Sequence, residues 1–338
     1  MNQLRIVAWE ITKKCNLSCI HCRGRSDISS DTGFSKKECF EIIDQIKETG
    51  NPVVILTGGE PLLRDDIFEI ARYGSLSGLK IVLATNGTLI DEKIAERIKE
   101  SGIKRVSVSI DSLDEKKHDE FRNTEGAFRR ALNGINILRK NGIEFQINTT
   151  VTKDNVDEIE KMIDMAVKIG AAAHHLFFLV PTGRARSLKD KQIDKERYER
   201  LLFFLYKKKD SVPIHIKPTC APQYYRLIRE KRGSGFEQMT RGCICGISFC
   251  FISAEGIVQP CGYLELKAGD LKEEKFKEIW ENSEIFNKLR DFSLYKGKCG
   301  SCEYVKVCGG CRARAYEEKG DFLEEEPLCL YKPKRWTK

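Results

Sequence analysis

The feature that most constrains the fold is a regular alternation of short apolar runs and amphipathic stretches over roughly the first 180 residues. The apolar runs have the length and composition of buried strands; they are residues 5–12, 52–57, 80–85, 105–111, 144–151 and 174–180. The stretches between them have helical patterns that end in glycine, a common helix stop; they include residues 35–50, 91–102, 126–142 and 155–170. This repetition predicts a parallel sheet with right-handed crossovers, either doubly wound or a partial barrel.

Two polar motifs directly follow the first two predicted strands. Cys15, Cys19 and Cys22 follow the first, and the segment TGGEP (57–61) follows the second. Because the carboxyl ends of parallel strands share one edge of a sheet, both motifs are expected on the face where such folds carry their chemistry. A closed structural metal site normally has four protein ligands, so three cysteines indicate a metal centre with one open position.

The chain has 14 cysteines, which is many for a protein of 338 residues. Three lie near the N-terminus, Cys39 and Cys220 stand alone, and nine lie between residues 243 and 329. The sequence shows no export signal, and a chain of this size does not need disulfides for stability. We therefore expect a cytoplasmic protein with two metal-binding regions, and we expect Cys39, in a helical pattern, to be a core residue.

The second cysteine-rich region predicts a second domain. Residues 183–211 have the pattern of a charged loop and one amphipathic helix, which would bridge a first domain (1–211) to a second (212–338). The second domain contains CICGISFCFISAEGIVQPC and CGSCEYVKVCGGC. A zinc ribbon is one interpretation, since CxxC pairs commonly bind zinc.

Charge and hydropathy argue against two classes of partner. Lys and Arg (58) only slightly outnumber Asp and Glu (50), and they are spread along the chain. There is no concentrated basic patch with interleaved aromatic residues, so nucleic-acid binding is not expected. The apolar runs are far shorter than a membrane span, so no membrane association is expected either.

The order of the motifs resembles the radical S-adenosylmethionine (SAM) superfamily. CxxxCxxC, GGEP, TNG (85–87) and SID (109–111) follow the first four strands in turn. The resemblance implies a partial (β/α)6 TIM-like barrel in which Cys15, Cys19 and Cys22 hold three irons of a [4Fe–4S] cluster and SAM chelates the fourth. It further implies that electron transfer from this cluster cleaves SAM to a 5′-deoxyadenosyl radical.

The same resemblance implies a set of SAM-binding residues: Gly58, Gly59, Glu60, Asn86, Ser109, Asp111, Arg122 and Asn148, with Thr150 as a weaker candidate. Glu60 matches a residue that contacts the methionine amino group, and Arg122 matches an arginine that pairs with the SAM carboxylate. For Ser109 and Asn148 the alternative is that each simply satisfies backbone groups at a strand end.

The C-terminal cysteines resemble the SPASM (or twitch) extension of radical SAM enzymes, which carries one or two auxiliary [4Fe–4S] clusters. Two are expected here, with ligands Cys299, Cys302, Cys308 and Cys329 for one and Cys243, Cys250, Cys261 and Cys311 for the other, leaving Cys245 spare. The common pattern has three residues before the fourth cysteine of the run, whereas this chain has only Gly309 and Gly310. That difference leaves the assignment of ligands open.

A narrower resemblance runs nearly end to end and is to radical SAM enzymes of alternative heme biosynthesis. It is carried by residues 4–23, 174–186, 216–226, 241–266 and 308–329. It implies oxidative decarboxylation of two propionates of iron-coproporphyrin III to vinyl groups, which gives heme b. The implied partners are a tetrapyrrole substrate and an electron donor such as ferredoxin or flavodoxin. The alternative is a maturase that modifies a peptide or a tungsten pterin cofactor enzyme.

Five further residues have two interpretations each. His174 and His175 would contact the porphyrin iron or a propionate, or are ordinary strand residues with one facing the barrel. Cys220 is an iron or substrate ligand, or a buried thiol. Arg312 and Arg314 pair with substrate carboxylates or face solvent.

Overall fold

A computed structural model describes residues 3–29, 33–232, 241–334 and 336 of the chain. Its centre is one ten-stranded sheet with the strand order β10-β9-β8-β1-β2-β3-β4-β5-β6-β7. The strands are β1 (Ile6–Glu10), β2 (Val53–Thr57), β3 (Lys80–Thr85), β4 (Val106–Ser109), β5 (Phe145–Val151), β6 (Ala173–Phe178), β7 (His215–Thr219), β8 (Phe249–Ile252), β9 (Ile257–Gln259) and β10 (Gly269–Asp270).

Strands β1 to β7 are parallel and follow chain order, and the first six are the six strands that the sequence predicts. The α/β fold class is therefore confirmed. Strand β8 pairs in parallel with the other side of β1, whereas β9 and β10 continue antiparallel. Residues beyond 211 thus extend the same sheet at both edges, and the domain boundary at 211 stays a prediction.

The helices cover the outer face of the sheet. They are α1 (Lys36–Glu48), α2 (Ile67–Leu76), α3 (Glu92–Glu100), α4 (Glu115–Arg122), α5 (Ala127–Lys140), α6 (Ile159–Lys168), α7 (Lys195–Lys208), α8 (Gln223–Arg232), α9 (Phe276–Asn282), α10 (Glu284–Arg290), α11 (Gly297–Gly300) and α12 (Arg312–Lys319). Gly102, Gly142 and Gly170 follow α3, α5 and α6 in left-handed conformations (φ 77°, 66° and 78°), as expected of helix stops. Within the described residues, no helix is both long enough and apolar enough to span a membrane.

The two faces of the parallel strands differ in polarity, because alternate side chains point to opposite faces. The outward residues, such as Trp9, Leu56 and Val108, are fully buried beneath the helices and form the main core, together with Cys39 of α1. The inward residues of β4 to β7 are largely polar. In register they form one row across four strands, namely Ser109, Asn148, His175 and Lys217.

Candidate functional site

The loop after β1, residues 11–29 and here called the cluster loop, brings its three cysteines together. Cys15 and Cys19 are buried, Cys22 is partly buried, and all three pack together beside Ala127 at the start of α5. Burial raises the pKa of the Cys15 thiol to about 12, so it would not ionise alone at neutral pH. A bound metal centre supplies the positive charge that makes such thiols ligate as thiolates. The residues present therefore fit an iron–sulfur cluster.

The number of cysteines in the cluster loop differs from that of a closed zinc site, which normally has four protein ligands. Among the described residues, no three His, Cys, Asp or Glu side chains converge on one ion position. The thiolates of a four-iron cluster lie further apart than the ligands of one zinc ion, because each is bonded to a different iron. Soft thiolate ligands suit iron–sulfur clusters.

The cluster loop is held in place by the segment after β6. The Arg184 side chain donates from Nε to the Cys19 carbonyl at 2.8 Å, and its backbone N–H donates to the Cys22 carbonyl at 2.9 Å. Gly183 has φ +59°, and a Cβ there would lie 2.1 Å from the Arg23 carbonyl oxygen. Sequence reasoning missed Arg184, although "PTGRAR" follows β6 at the same edge of the sheet as the other motifs.

The two glycines of the GGE motif let the loop after β2 approach the cluster loop. A Cβ on Gly58 would lie 2.4 Å from the Thr12 carbonyl oxygen, and one on Gly59 would lie 2.4 Å from the Lys14 carbonyl oxygen. The N–H of Gly59 donates to the Thr12 carbonyl at 2.7 Å, and that of Glu60 donates to the Lys14 carbonyl at 2.8 Å. The glycines thus fix the position of Glu60 relative to the cysteines.

The Glu60 carboxylate is fully buried and accepts three hydrogen bonds. Oε1 accepts from the Leu62 N–H at 3.1 Å and from the Thr85 hydroxyl at 2.8 Å, and Oε2 accepts from the Asn86 N–H at 2.7 Å. Burial raises the pKa of Glu60 to about 7, although the three hydrogen bonds lower it. A carboxylate offers about four acceptor positions, so Oε2 can take a further donor.

The loop after β3 continues this network to the cluster loop. The Asn86 side chain donates to Asn16 Oδ1 at 2.8 Å and accepts from the Thr88 N–H at 2.9 Å. Asn16 in turn donates to the Thr88 hydroxyl at 2.9 Å. Sequence reasoning missed Asn16 and Thr88, which are sequence neighbours of motif residues.

Asp111 and Arg122 form a buried ion pair beside the cysteines. Arg122 Nη2 lies 2.5 Å from Asp111 Oδ2, and Asp111 Oδ1 accepts from the Thr150 N–H at 2.8 Å. Burial opposes the charge of Asp111, but Arg122 and nearby histidines hold its pKa below the usual value. Arg122 Nη1 also lies 3.7 Å from Cys19 Sγ. The pair therefore connects the end of β4 to the cluster loop.

Ser109 and Asn148 are register partners on β4 and β5, facing the barrel interior. Asn148 Oδ1 accepts from Gln146 Nε2 at 2.9 Å, and the same nitrogen lies 3.0 Å from His175 Nδ1. His174 faces the other way, is fully buried and is hydrogen-bonded to a hydroxyl on β5. Only His175 of this histidine pair faces the barrel interior.

One group of C-terminal cysteines surrounds a small cavity: Cys299, Cys302, Cys308 and Cys329. Arg312 Nη2 lies 3.5 Å from Cys299 Sγ. Gly309 and Gly310, the short spacer before Cys311, both have left-handed conformations (φ 75° and 62°), and a Cβ on Gly310 would lie 3.1 Å from Cys299 Sγ. These two glycines allow a sharp turn between Cys308 and Cys311. Cys308 therefore belongs to this group, whereas Cys311 belongs to a second group.

A second group contains Cys243, Cys245, Cys261 and Cys311. The sulfur atoms of Cys243 and Cys245 are 3.2 Å apart. The hydrogen bond with Cys243 and burial raise the pKa of the Cys245 thiol, and nearby Cys261 and Cys311 add to this effect. Cys220, directly after β7, shares a hydrogen bond with Cys311 and packs beside Cys261.

Cys250 lies apart from this group, although the sequence predicts it as a ligand. It sits on β8 beside Val7, with its side chain in the main hydrophobic core. Burial raises the pKa of its thiol, and the charged neighbour acting on it is Arg290, not another described cysteine.

Arg312 and Arg314 are buried, so neither faces solvent, and most of their donors are already used within the protein. Arg314 is fully buried in an ion pair with Glu326 at 3.0 Å. Arg312 is also buried and donates to the carbonyls of Phe322 and Glu324 at 3.0 and 2.7 Å. Both arginines fasten the segment after α12, and Arg312 also contacts Cys299.

Comparison with known proteins agrees with this geometry. The radical SAM superfamily matches residues 9–166, and the SPASM iron–sulfur cluster-binding domain matches residues 243–312. The chain is 50% identical to the AdoMet-dependent heme synthase of Methanosarcina barkeri, over 98% of both chains. It is 48% identical to the protein of the same name from Nitratidesulfovibrio vulgaris, over 98% of this chain and 94% of that one.

The fold is also that of a solved structure, Streptococcus suis SuiB bound to S-adenosylmethionine. The TM-score is 0.79 at 20% identity, over 98% of this chain and 78% of SuiB. The chain therefore belongs to the radical SAM superfamily, as an enzyme with a SPASM domain that uses a [4Fe–4S] cluster with SAM and auxiliary iron–sulfur clusters.

Proposed function

We propose that this enzyme completes heme synthesis by converting two propionates of iron-coproporphyrin III to vinyl groups. The observation that carries the proposal is the 50% identity to an AdoMet-dependent heme synthase along almost the whole of both chains. The similarity takes in both the radical SAM region and the SPASM region, so it is not confined to the part shared by all radical SAM enzymes. The electron donor in this proposal is a one-electron carrier such as a ferredoxin or flavodoxin.

In this proposal Cys15, Cys19 and Cys22 hold the cluster that binds SAM. Together the cluster and SAM supply, when bound, a 5′-deoxyadenosyl radical that removes hydrogen from the substrate. Glu60 orients the SAM amino group, because its buried Oε2 keeps one acceptor position beyond the bond to Asn86. Gly58 and Gly59 position Glu60 by close backbone approach.

Four residues complete the SAM site in this proposal: Ser109 on β4, Asp111 just after it, Arg122 on α4 and Asn148 on β5. Ser109 and Asn148 are register partners that face the barrel interior. Arg122 is paired with Asp111 and is buried beside Cys19. Asp111 holds Arg122 in place, and Arg122 directs positive charge at the cluster and the SAM carboxylate.

Two auxiliary clusters have separate cysteine groups in this proposal. Cys299, Cys302, Cys308 and Cys329 hold one, which is supported by their shared cavity. Cys243, Cys245, Cys261 and Cys311 hold the other, which is supported by their mutual proximity. Cys245 thus replaces Cys250 in the set expected from the sequence.

The test is an anaerobic reaction with iron-coproporphyrin III, SAM and a low-potential reductant, analysed by mass spectrometry. The expected product is heme b, formed by loss of two molecules of carbon dioxide and four hydrogen atoms. A tetrapyrrole recovered unchanged, in a sample that cleaves SAM, would refute the substrate assignment. The peptide-maturase alternative would then be the next hypothesis.

A further inference from the structure

The inward face of the sheet carries a row of hydrogen-bond donors that leads from the SAM residues to the sheet edge. The row consists of Ser109, Asn148, His175 and Lys217, which are register partners on β4, β5, β6 and β7. We call these four residues the donor row. Its first two members are candidate SAM residues, and its last lies on β7, the edge strand of the sheet. Each member can donate a hydrogen bond, and none is acidic.

Lys217 points into the barrel rather than toward the helices. Its neighbours Ile216 and Pro218 are buried on the opposite face of β7, so alternation places the lysine on the inward face. His215 lies on the same face two residues earlier, and its ring centroid is 6.3 Å from that of His175. Basic side chains therefore adjoin one another on β6 and β7.

The charge of Lys217 has no counterion in the described parts of the chain. No ion pair or side-chain hydrogen bond involves it there, although the residue is partly buried. Burial and the nearby charge of Arg5 lower its pKa. Asp210, a carboxylate that lines the same groove as Lys217, has a partner of its own, since it is hydrogen-bonded to Lys209 at 2.7 Å.

His175 keeps one ring N–H that no described residue accepts. An amide nitrogen can only donate, so the contact of Gln146 Nε2 with His175 Nδ1 makes Nδ1 the acceptor. The ring hydrogen is then on Nε2. A groove of about 260 Å³ runs along the edge strand β7 and makes Lys217 reachable from the sheet edge; its lining includes His215, Lys217, Asp210 and, from the opposite face, Ile216 and Pro218.

We propose that Lys217, assisted by the Nε2–H of His175, binds a carboxylate of the substrate on the inward face of the edge strand β7. A partly desolvated lysine without a counterion is unfavourable, and a bound carboxylate removes that cost. The inference rests on the proposed function, because iron-coproporphyrin III carries propionate carboxylates. Lys217 lies two strands from Asn148, roughly 10 Å away, so it selects acidic substrates by holding a carboxylate at a distance from the SAM residues.

The test measures the affinity of the cluster-loaded protein for iron-coproporphyrin III by anaerobic titration of the Soret band. We expect Lys217→Met to weaken binding roughly ten- to a hundredfold, the effect of losing a charge-assisted hydrogen bond. Lys217→Arg should bind within a few-fold of the wild type. The matched control is Lys80→Met, which removes an exposed strand lysine on β3 and should change nothing.

A second ligand, the tetramethyl ester of iron-coproporphyrin III, separates charge recognition from a packing effect. Lys217→Met should bind the ester as the wild type does. Equal loss for acid and ester, or no loss for the acid, would overturn the proposal. Iron content and SAM affinity report whether the variant is intact. If Lys217→Met has lost iron or SAM affinity, Lys217→Gln takes its place, and its binding of the acid is compared with its binding of the ester. Failure of the proposed function is distinguishable, because the wild type itself would then neither bind nor convert the tetrapyrrole.

Discussion

Glu60 Oε2 accepts a 2.7 Å hydrogen bond from the backbone N–H of Asn86, so one buried carboxylate joins the loops after β2 and β3. The same loop after β3 reaches the cluster loop through Asn16. The charge that is proposed to orient SAM is therefore also a structural element of the site. Variants of Glu60 and of its partner Thr85 can separate the two functions of this carboxylate, SAM binding and joining of the loops.

Glu60→Gln is expected to weaken SAM binding about ten- to a hundredfold, because a charge-assisted hydrogen bond contributes about 1.5–3 kcal/mol. The N-terminal cluster should remain, since Glu60 is not a ligand in this account. Equilibrium binding of SAM and iron analysis check both points. Thr85→Val is the matched control: it removes one hydrogen bond to the same carboxylate but keeps the charge, and it should reduce affinity only slightly. Equal effects of the two variants would argue against a contact between Glu60 and SAM.

Asp111→Asn is expected to destabilise the protein by about 3–5 kcal/mol, because it leaves the buried Arg122 without its partner. The midpoint of anaerobic thermal unfolding should fall by several degrees. Asp114→Asn makes the same chemical change three residues later, at the N-cap of α4, where asparagine caps as well as aspartate. It should leave the midpoint unchanged. A similar small shift for both variants would show that the ion pair is not important for stability.

Cys245→Ser and Cys250→Ser test the revised ligand set directly. We expect Cys245→Ser to lose the iron, sulfide and electron paramagnetic resonance signal of one auxiliary cluster. Cys250→Ser should keep them, at some cost in stability, because that thiol lies in the hydrophobic core. The opposite pattern would restore the assignment expected from the sequence.

Cys299→Ser or Cys308→Ser is expected to uncouple SAM cleavage from product formation. Each vinyl group formed leaves one electron that must be accepted elsewhere, and thiolate-bound clusters cover a wide range of potentials. The variants should still form 5′-deoxyadenosine with reductant but little divinyl product. Retained SAM binding is the control, because loss of a cluster can also unfold its domain. Normal product yield without this cluster would exclude it as the acceptor.

The sequence predicts those parts of the fold that bury apolar side chains in a regular pattern. Strands β1 to β6 do so, whereas β7 (HIKPT) is an edge strand with a lysine and a proline and gave no such signal. Helix α4 was missed for a related reason, since its buried residues are His118 and Arg122 rather than an apolar stripe.

The site residues could be predicted where a motif directly follows a strand. They were harder to predict where the direction of a side chain determines whether it reaches the site. Spacing alone does not show which face of β8 a thiol occupies, and the parallel pairing of β8 with β1 turns Cys250 toward the core. Burial of Arg312 and Arg314 depends in the same way on how the segment after α12 folds back over them.

The measurement that tests the account most directly is deuterium transfer from substrate to 5′-deoxyadenosine. Iron-coproporphyrin III deuterated at the propionate β-carbons would be incubated anaerobically with SAM and reductant, and both products analysed by mass spectrometry. The account predicts singly deuterated 5′-deoxyadenosine together with heme b. Heme b without label in 5′-deoxyadenosine would contradict the hydrogen-abstraction step, and unlabelled 5′-deoxyadenosine with intact tetrapyrrole would contradict the proposed substrate.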